Sequence, residues 1–343
     1  MGRGQGLKAV LAHRANVLPG FDHPLAEVVR RSSDVALMLD HALQFVVSGL
    51  ADVDWKRRKF DQVWSHDASV SRSALSELEA LGTLLEVFPD CGPVPENPRE
   101  QTPDFSIPRL LTVEVYRPRE SWPESQKVEA ELASQPGPLR MAISHPITGS
   151  DGLSLDFPAN KVVDRILNAK REKAQVIEGI PAALYLDLRH EWALGCRDVI
   201  PYRTVFSKGV HWIGTFGAWH AFYGAEGRKT MLRDRAAVRF LRPTDCHAQT
   251  RQGFFREFTQ WSIAILALSD GLVFFENPWA ATPVSDRTLR QLLLLHRARL
   301  EFSWFRGSET SKRLAQAVES MIDRMEWTFD TDDEEEKEDQ AGP

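Results

Sequence analysis

The chain has 343 residues, of which 43% are hydrophobic and 26% charged, a composition typical of soluble globular proteins. Its net charge of −6 comes almost entirely from residues 330–339, where eight acidic residues stand against one lysine, so the remainder is nearly neutral. Three widely spaced cysteines exclude a disulfide framework or a cysteine zinc pattern, and we therefore expect a protein of the reducing cytoplasm.

The N-terminal part of the chain predicts helices and no targeting or membrane segment. Residues 1–14 lack the apolar core of a signal peptide, and the most apolar run, residues 35–50, is too short and too polar to span a bilayer. Amphipathic periodicity over residues 24–50 indicates a helix. We assign residues 1–58 to an N-terminal helical arm, a candidate surface for a protein partner, and expect no membrane association.

Residues 59–306 are predicted to form one α/β domain with a mixed central sheet flanked by helices. Its predicted elements are a helix at 60–81 that stops at Gly82, a strand at 83–88, a hairpin at 103–116, a helix at 160–179, a strand at 180–188, a hairpin that turns at Asp270-Gly271 and a helix near 285–300. A C-terminal helix is predicted at 307–329. The acidic residues 330–343 are predicted to be disordered because they offer no hydrophobic run to bury.

The hairpin at 103–116, PDFSIPRLLTVEVY, places two acidic side chains opposite each other. A three-residue turn centred on Arg109 pairs Phe105 with Val113, and the same register opposes Asp104 to Glu114 with Cβ atoms about 5 Å apart. The apolar residues then share the other face, which makes this register well specified. Opposed like charges are destabilising unless a cation lies between them, so we predict a divalent metal with oxygen ligands there. The alternative is an exposed face on which both acids are solvated.

The predicted elements follow the order helix, strand, hairpin, helix, strand. The hairpin contains Pro103-Asp104 and then Glu114 in VEV, and the last strand is AALYLDL. This arrangement resembles the PD-(D/E)XK superfamily, the restriction-endonuclease-like nucleases. The resemblance covers roughly residues 60–190. It implies a restriction-endonuclease-like core in which Asp104 and Glu114 hold Mg²⁺ (or Mn²⁺), and the metal activates a water to attack a phosphodiester bond. The implied function is a metal-dependent nuclease, with DNA as the preferred substrate.

One position departs from the pattern of this family. Tyr116 stands where the family has a lysine that orients the water and stabilises charge. Some members carry that lysine on the following helix, and here Lys170 and Lys173 fall within the apolar stripe of the predicted helix at 160–179. Lys170 is the preferred catalytic cation, Lys173 is its alternative and Lys161 is a third choice. The pattern is equally compatible with lysines that extend to solvent.

The family often adds an acid from the helix that precedes the first strand. Glu77 and Glu79 are the candidates, and a spacing of two residues puts them on different faces of a helix. Glu77 lies with Leu81 and Leu84 on the helical wheel and is predicted to point inward. We therefore prefer Glu77 as the further catalytic acid, and a solvated helix face is the alternative.

A basic segment at residues 228–242 is a candidate surface for the phosphate backbone of a nucleic acid. The cations assigned to this contact are Arg228, Lys229, Arg233 and Arg235. Upstream aromatic residues either stack bases or belong to the core; these are Trp212, Trp219 and Phe222. A second basic run lies at residues 55–59.

Other motifs that carry chemistry are missing from the sequence. It has no Gly-rich phosphate loop followed by GK[ST] and no G-x-S-x-G nucleophile elbow, which argues against the common NTPase and hydrolase classes. The sequence thus predicts a metal-dependent nuclease. The alternative, favoured by Tyr116, is a catalytically inactive nuclease-like scaffold that binds nucleic acid or a protein partner.

Overall fold

A computed structural model describes twelve stretches of the chain, and all structural statements below concern these. They are residues 5–12, 23–25, 33–95, 102–117, 176–189, 195–196, 203–204, 215–216, 222–223, 229–232, 247–250 and 254–305. The chain divides into two compact units. Unit 1 comprises Met1–Pro118, Asn168–Val199 and Glu257–Phe305, and unit 2 comprises Arg119–Leu167, Ile200–Arg256 and Arg306–Pro343.

The described elements begin with four helices, and eight strands follow before the next helix. The helices are α1 (Gln5–Ala12), α2 (Ser33–Gly49), α3 (Val53–Val63), α4 (Ala68–Leu85), α5 (Phe254–Glu257) and α6 (Asp286–Leu292), and a 3₁₀ turn covers Leu300–Phe302. The strands are β1 (Gly92–Pro93), β2 (Phe105–Ile107), β3 (Leu111–Tyr116), β4 (Ala182–Asp187), β5 (Arg203–Thr204), β6 (Thr215–Phe216), β7 (Lys229–Leu232), β8 (His247–Thr250), β9 (Ile263–Leu268) and β10 (Gly271–Glu276).

Unit 1 is built on a six-stranded mixed sheet in the order β1-β2-β3-β4-β9-β10. The strands β3, β4 and β9 run parallel, whereas β1–β2, β2–β3 and β9–β10 are antiparallel pairs. Strands β4, β9 and β10 are buried along their whole length, as expected for strands covered on both faces. The predicted α/β class with a mixed central sheet is therefore confirmed.

Helix α4 covers one face of this sheet. Its Leu78 and Leu81 share a hydrophobic core with Phe105 of β2, Val113 of β3 and Tyr185 of β4. Side chains alternate along a strand, so Phe105, Val113 and Tyr185 point to the α4 face, while Glu114, between Val113 and Val115, points to the other face.

The predicted N-terminal arm is part of unit 1, and two close helix crossings hold its helices in place. A Cβ on Gly6 of α1 would lie 2.4 Å from the backbone oxygen of Asp40 in α2, and a Cβ on Gly82 of α4 would lie 2.1 Å from that of Ala42. The indole Nε1 of Trp64 also donates to the carbonyl of Val10, at 3.0 Å. Helices α1 and α2 therefore belong to the same hydrophobic core as the sheet.

The prediction for residues 60–88 was wrong in two places. The helix is interrupted, because Asp67 caps the start of α4 by accepting from the backbone N–H groups of Ser69 and Val70. It then continues through Gly82 to Leu85, so the predicted strand at 83–88 does not form. The apolar residues of this stretch recur at helical spacing with Leu81 of the same helix, and those that are buried are Leu81, Leu84, Leu85 and Phe88.

Further along the chain, the strand predicted at 180–188 is confirmed as β4. The β9–β10 hairpin is confirmed, but its loop is Ser269-Asp270, since Leu268 pairs with Gly271. A Cβ on Gly271 would lie 2.7 Å from Cγ of Arg299, which explains the glycine at this strand position. The helix predicted near 285–300 begins as expected and ends at Leu292.

Both edges of the sheet are short or covered. At one edge, β1 has two residues, and the second is Pro93. At the other edge, the segment 297–304 bonds to β10: Leu272 donates to Arg297 at 3.0 Å, and Trp304 donates to Phe274 at 2.7 Å. These contacts satisfy backbone groups that an edge strand otherwise leaves unpaired.

The described part of unit 2 contains the antiparallel pairs β5–β6 and β7–β8. It also contains an aromatic cluster in which Phe222 stacks on Phe255 with ring centroids 4.6 Å apart, next to Tyr223 and Phe254. The predicted helices at 160–179 and 307–329 and the predicted disordered tail at 330–343 lie wholly or almost wholly outside the described residues.

Candidate functional site

The β2–β3 hairpin has the register that the sequence predicts. Phe105 pairs with Val113 and Ile107 with Leu111. The turn is closed by the N–H of Leu110, which donates to the carbonyl of Ile107 at 2.9 Å. Pro108 takes the second turn position and Arg109, with φ of 63°, the third, as in a type II turn. This turn fixes the hairpin so that Asp104, directly before β2, falls opposite Glu114.

Asp104 is anchored to the neighbouring strand through its side chain. Its Oδ2 accepts from the backbone N–H of Val115 at 2.7 Å, and its carbonyl accepts from Val94 at 3.1 Å. The first bond holds the Asp104 carboxylate beside β3, one residue from Glu114. The carboxylate is partly exposed, so its environment remains polar.

Glu114 is a buried carboxylate in an interior strand. It is 2% exposed, and its position in the parallel ladder is next to Leu184 of β4. Thr112, on the same face two residues earlier, is 1% exposed. Burying a charged carboxylate is costly unless a cation or hydrogen-bond donors compensate it. Glu114 therefore requires a cation or hydrogen-bond donors close to its carboxylate.

Tyr116, at the family's lysine position, is the last residue of β3. It is half-buried and pairs with Leu186 of β4, so no cationic side chain enters the hairpin at this point. The candidate catalytic cations Lys170 and Lys173, and the third choice Lys161, lie outside the described residues. Their assignment stays a prediction.

The sequence predicts that Glu77 points inward, but in the structure Glu79 is the more deeply buried of the two glutamates. Glu77 forms an ion pair with Lys59 of α3, and its side chain is 16% exposed, whereas Glu79 is 7% exposed at the side chain and points inward. Both lie on α4, which covers the sheet face opposite to Glu114. Neither is therefore placed beside the Asp104–Glu114 pair, and Glu77 has a structural partner of its own.

Glu79 belongs to a second group of buried charges, at the end of β4. The guanidinium of Arg189 contacts Glu79 through Nη1 and Asp187 through Nε, the latter at 2.9 Å. Asp187 also accepts from the hydroxyl of Ser76. Burial raises the pKa of Glu79 to about 8; the Arg189 charge opposes this rise and the Asp187 carboxylate adds to it.

Asp187 and Arg189 were not among the site residues predicted from the sequence. Asp187 is the last residue of β4 and Arg189 lies two residues later, in the stretch LDLR, a spacing that puts them on one side of an extended chain. That spacing, at the carboxyl end of a parallel strand, is the feature of the sequence from which this pair of charged residues could have been predicted.

The described residues contain no group of three or more His, Cys, Asp or Glu arranged to hold a metal ion. At the hairpin, the protein part of a metal site would therefore consist of the two carboxylates Asp104 and Glu114. Mg²⁺ often binds through one or two carboxylates, with water and substrate phosphate as its remaining ligands. The donor set fits Mg²⁺ or Mn²⁺.

The candidate nucleic-acid residues are described only in part. Lys229 is the first residue of β7, and Arg228, Arg233 and Arg235 lie outside the described residues. Phe222 is 0% exposed in the aromatic cluster of unit 2, so it is a packing residue and unavailable for stacking a base. Trp212 and Trp219 lie outside the described residues.

The basic run at 55–59 divides between core and surface. Trp55 and Lys59 are buried, 6% and 7% exposed, and the Lys59 ammonium lies 5.7 Å from the centroid of the Trp55 ring. Arg57 and Arg58 are exposed. Two exposed arginines are a weak basis for a nucleic-acid surface.

None of the described helices has the length and apolar character needed to cross a membrane. Comparison with protein-family models, with curated proteins and with solved structures found no significant match to the chain.

Proposed function

We propose that the protein is a metal-dependent nuclease with a restriction-endonuclease-like core, which hydrolyses phosphodiester bonds in nucleic acid, preferably DNA. One observation carries the proposal: Asp104 directly precedes β2 and its carboxylate is bonded to Val115 of β3, next to the buried Glu114. The order of α4, the β2–β3 hairpin and the parallel strand β4 supports the same core.

In this proposal Asp104 and Glu114 hold Mg²⁺ or Mn²⁺. A metal held there would supply an activated water and would stabilise charge at the phosphodiester. The hydrogen bond from Val115 holds the Asp104 carboxylate beside β3, next to Glu114. Burial of Glu114 limits bulk water around the pair and so strengthens its attraction for a cation.

The positive charge that the family places on β3 has to come from elsewhere, because Tyr116 cannot supply it. Lys170 and Lys173 lie in the segment that joins the adjacent parallel strands β3 and β4. We propose Lys170 as the group that stabilises charge on the phosphate, with Lys173 as its alternative. Arg228, Lys229, Arg233 and Arg235 are proposed contacts to the nucleic-acid backbone.

We predict metal-dependent cleavage of plasmid or single-stranded DNA by the full chain, with Mg²⁺ or Mn²⁺ and none with EDTA. Glu114→Gln is expected to abolish cleavage because it removes one of two anionic ligands. Glu276→Gln is the matched control, since Glu276 is also a buried strand glutamate, 1% exposed, at the far edge of the sheet. Gel assays of the three proteins are compared after their thermal stability has been checked.

The lysine variants test the second part of the proposal. Loss of cleavage in Lys170→Ala, with metal binding kept, would support Lys170, whereas loss in Lys173→Ala alone would move the role to Lys173. Cleavage that survives both variants, or that is lost equally in Glu276→Gln and Glu114→Gln, would contradict these assignments.

A second candidate function is a catalytically inactive scaffold that binds nucleic acid or a protein partner, the latter through the N-terminal helices. The specific observation in its favour is Tyr116 at the family's lysine position. No cleavage by the wild type, together with a melting temperature that Mg²⁺ and Mn²⁺ leave unchanged, would favour the scaffold. Salt-dependent binding of DNA would then separate a nucleic-acid partner from a protein partner.

A further inference from the structure

Two buried side chains of the basic run at residues 55–59 lie beside the hairpin of the proposed metal site. Trp55 and Lys59 are four residues apart on α3, so they share one face of this helix. The Trp55 ring meets the ring of Phe105 edge to face, with centroids 5.9 Å apart and planes at 74°. Phe105 directly follows Asp104 in the chain. Helix α3 therefore contacts the hairpin next to one of the two carboxylates.

Asp104 belongs to the less firmly held side of this hairpin. It directly precedes β2, which has three residues and whose outer neighbour β1 has only two. Glu114 lies on the six-residue strand β3, which pairs with β2 on one side and with β4 on the other. Segments with few backbone hydrogen bonds are displaced most easily. The separation of the two carboxylates therefore depends on what holds β2 from outside the sheet.

Phe105 and Trp55 hold β2 in this way. Phe105 is 0% exposed, and an edge-to-face pair of buried rings is directional, so the pair restricts both the depth and the orientation of the strand. Trp55 is held in turn by Lys59, whose ammonium lies 5.7 Å from the centroid of the Trp55 ring and forms an ion pair with Glu77 of α4. These contacts join α3, α4 and β2.

We propose that Trp55 is a positioning residue of the metal site, which sets the position of Asp104 relative to Glu114 through Phe105. The proposal rests on the proposed function, because it requires a divalent cation between these carboxylates. Truncation of Trp55 leaves a cavity beside Phe105 into which β2 can shift, while Glu114 stays paired in the ladder with β4. Residues that orient metal ligands typically change metal affinity about 10–100-fold when they are replaced.

The test measures Mn²⁺ binding by the full chain, from the electron paramagnetic resonance signal of free Mn²⁺. Trp55→Ala is expected to raise the Kd about tenfold or more, because it removes the ring on which Phe105 packs. Trp55→Phe keeps an aromatic ring at this position and is expected to restore most of the affinity. If the alanine variant does not fold, Trp55→Leu, which removes less buried volume, is measured in its place and is expected to raise the Kd in the same direction.

Trp64→Ala is the matched control. Trp64 directly follows α3 and is also buried, at 5% exposed, but its indole donates to the carbonyl of Val10 in α1 and its ring lies beside His23. This variant is expected to lower the melting temperature, as Trp55→Ala does, and to leave the Kd for Mn²⁺ unchanged. Equal increases in Kd from the two alanine variants would overturn the proposal, because both would then reflect general destabilisation.

Glu114→Gln separates failure of this proposal from failure of the proposed function. If the wild type binds Mn²⁺ and Glu114→Gln does not, the metal site stands, and an unchanged Kd in Trp55→Ala then overturns the positioning role alone. If the wild type binds no Mn²⁺, or Glu114→Gln binds it equally well, the metal site is wrong and the role of Trp55 is wrong with it.

Discussion

At the scale of single residues, the turn of the β2–β3 hairpin contains a strained arginine. Arg109 has φ of 63°, a left-handed conformation that costs a residue with a Cβ about 1–2 kcal/mol. Glycine removes this strain but adds about 0.5–1 kcal/mol of chain entropy loss. We predict that Arg109→Gly raises the free energy of unfolding by about 0.5–1 kcal/mol, measured by urea unfolding.

Arg109→Ala is the control for that prediction. Alanine keeps the Cβ, and therefore the strain, while it removes the exposed guanidinium. It is expected to change stability by less than about 0.5 kcal/mol. An equal gain from alanine and glycine would mean that the charge of Arg109, and not its backbone, is unfavourable.

The residue scale also shows which site residues a sequence can predict. Asp104 and Glu114 were placed correctly opposite each other because a strand alternates with a period of two, and a one-residue slip would expose Phe105 and Val113. Glu79 was ranked below Glu77 because α4 is buried on several sides, by the sheet, α2 and α3. A helix covered in this way has no single apolar stripe, so a helical wheel does not separate Glu77 from Glu79.

At the scale of elements, the contact between α2 and α4 depends on Gly82. A Cβ at this position would lie 2.1 Å from the carbonyl oxygen of Ala42. The backbone of one helix would have to move to relieve this clash. We predict that Gly82→Ala lowers the free energy of unfolding by about 2 kcal/mol or more, from the overpacking of two helices. Chemical denaturation of the full chain measures the loss.

Gly49, at the end of α2, is the matched position for this prediction. A Cβ there meets nothing within 4 Å, and the residue is exposed. Gly49→Ala is expected to stabilise the chain by up to about 1 kcal/mol through helix propensity. If Gly82→Ala and Gly49→Ala both stabilise the chain, helices α2 and α4 do not cross as closely at Gly82 as described.

Gly82 also explains why one element was predicted wrongly. A glycine near the end of a helical pattern usually marks its end, and the apolar residues after it then suggested a strand. Here the glycine serves a contact with α2, which sequence periodicity does not reveal. By contrast, β4 and the β9–β10 hairpin were predictable, since their apolar runs are short, buried and bounded by turn residues.

At the scale of the whole molecule, unit 1 is assembled from distant parts of the chain. Its sheet takes β1–β3 from residues 92–116, β4 from 182–187 and β9–β10 from 263–276. We predict that a fragment of residues 1–118 does not fold cooperatively, because it lacks the strands that supply Tyr185 and Phe274 to the core. Circular dichroism during heating, with the full chain as the reference, measures this.

A sharp, monomeric thermal transition of that fragment would contradict this prediction and would mean that residues 1–118 fold on their own. The nonlocal strand order could not be read from the sequence, because periodicity gives the face of a strand and not its neighbour. The parallel pairing of β4 with β9 joins residues such as Ala183 and Ile263, which are far apart in the chain.

Residues 297–304, which bond to the outer edge of β10, affect how this strand can contact other chains. Strand β10 has the sequence GLVFFE, and its unpaired side is closed by residues 297–304. Short apolar segments of this kind, once exposed, are templates on which identical chains stack into cross-β fibrils. The segment 297–304 therefore occupies backbone groups of β10 with which another chain would otherwise pair.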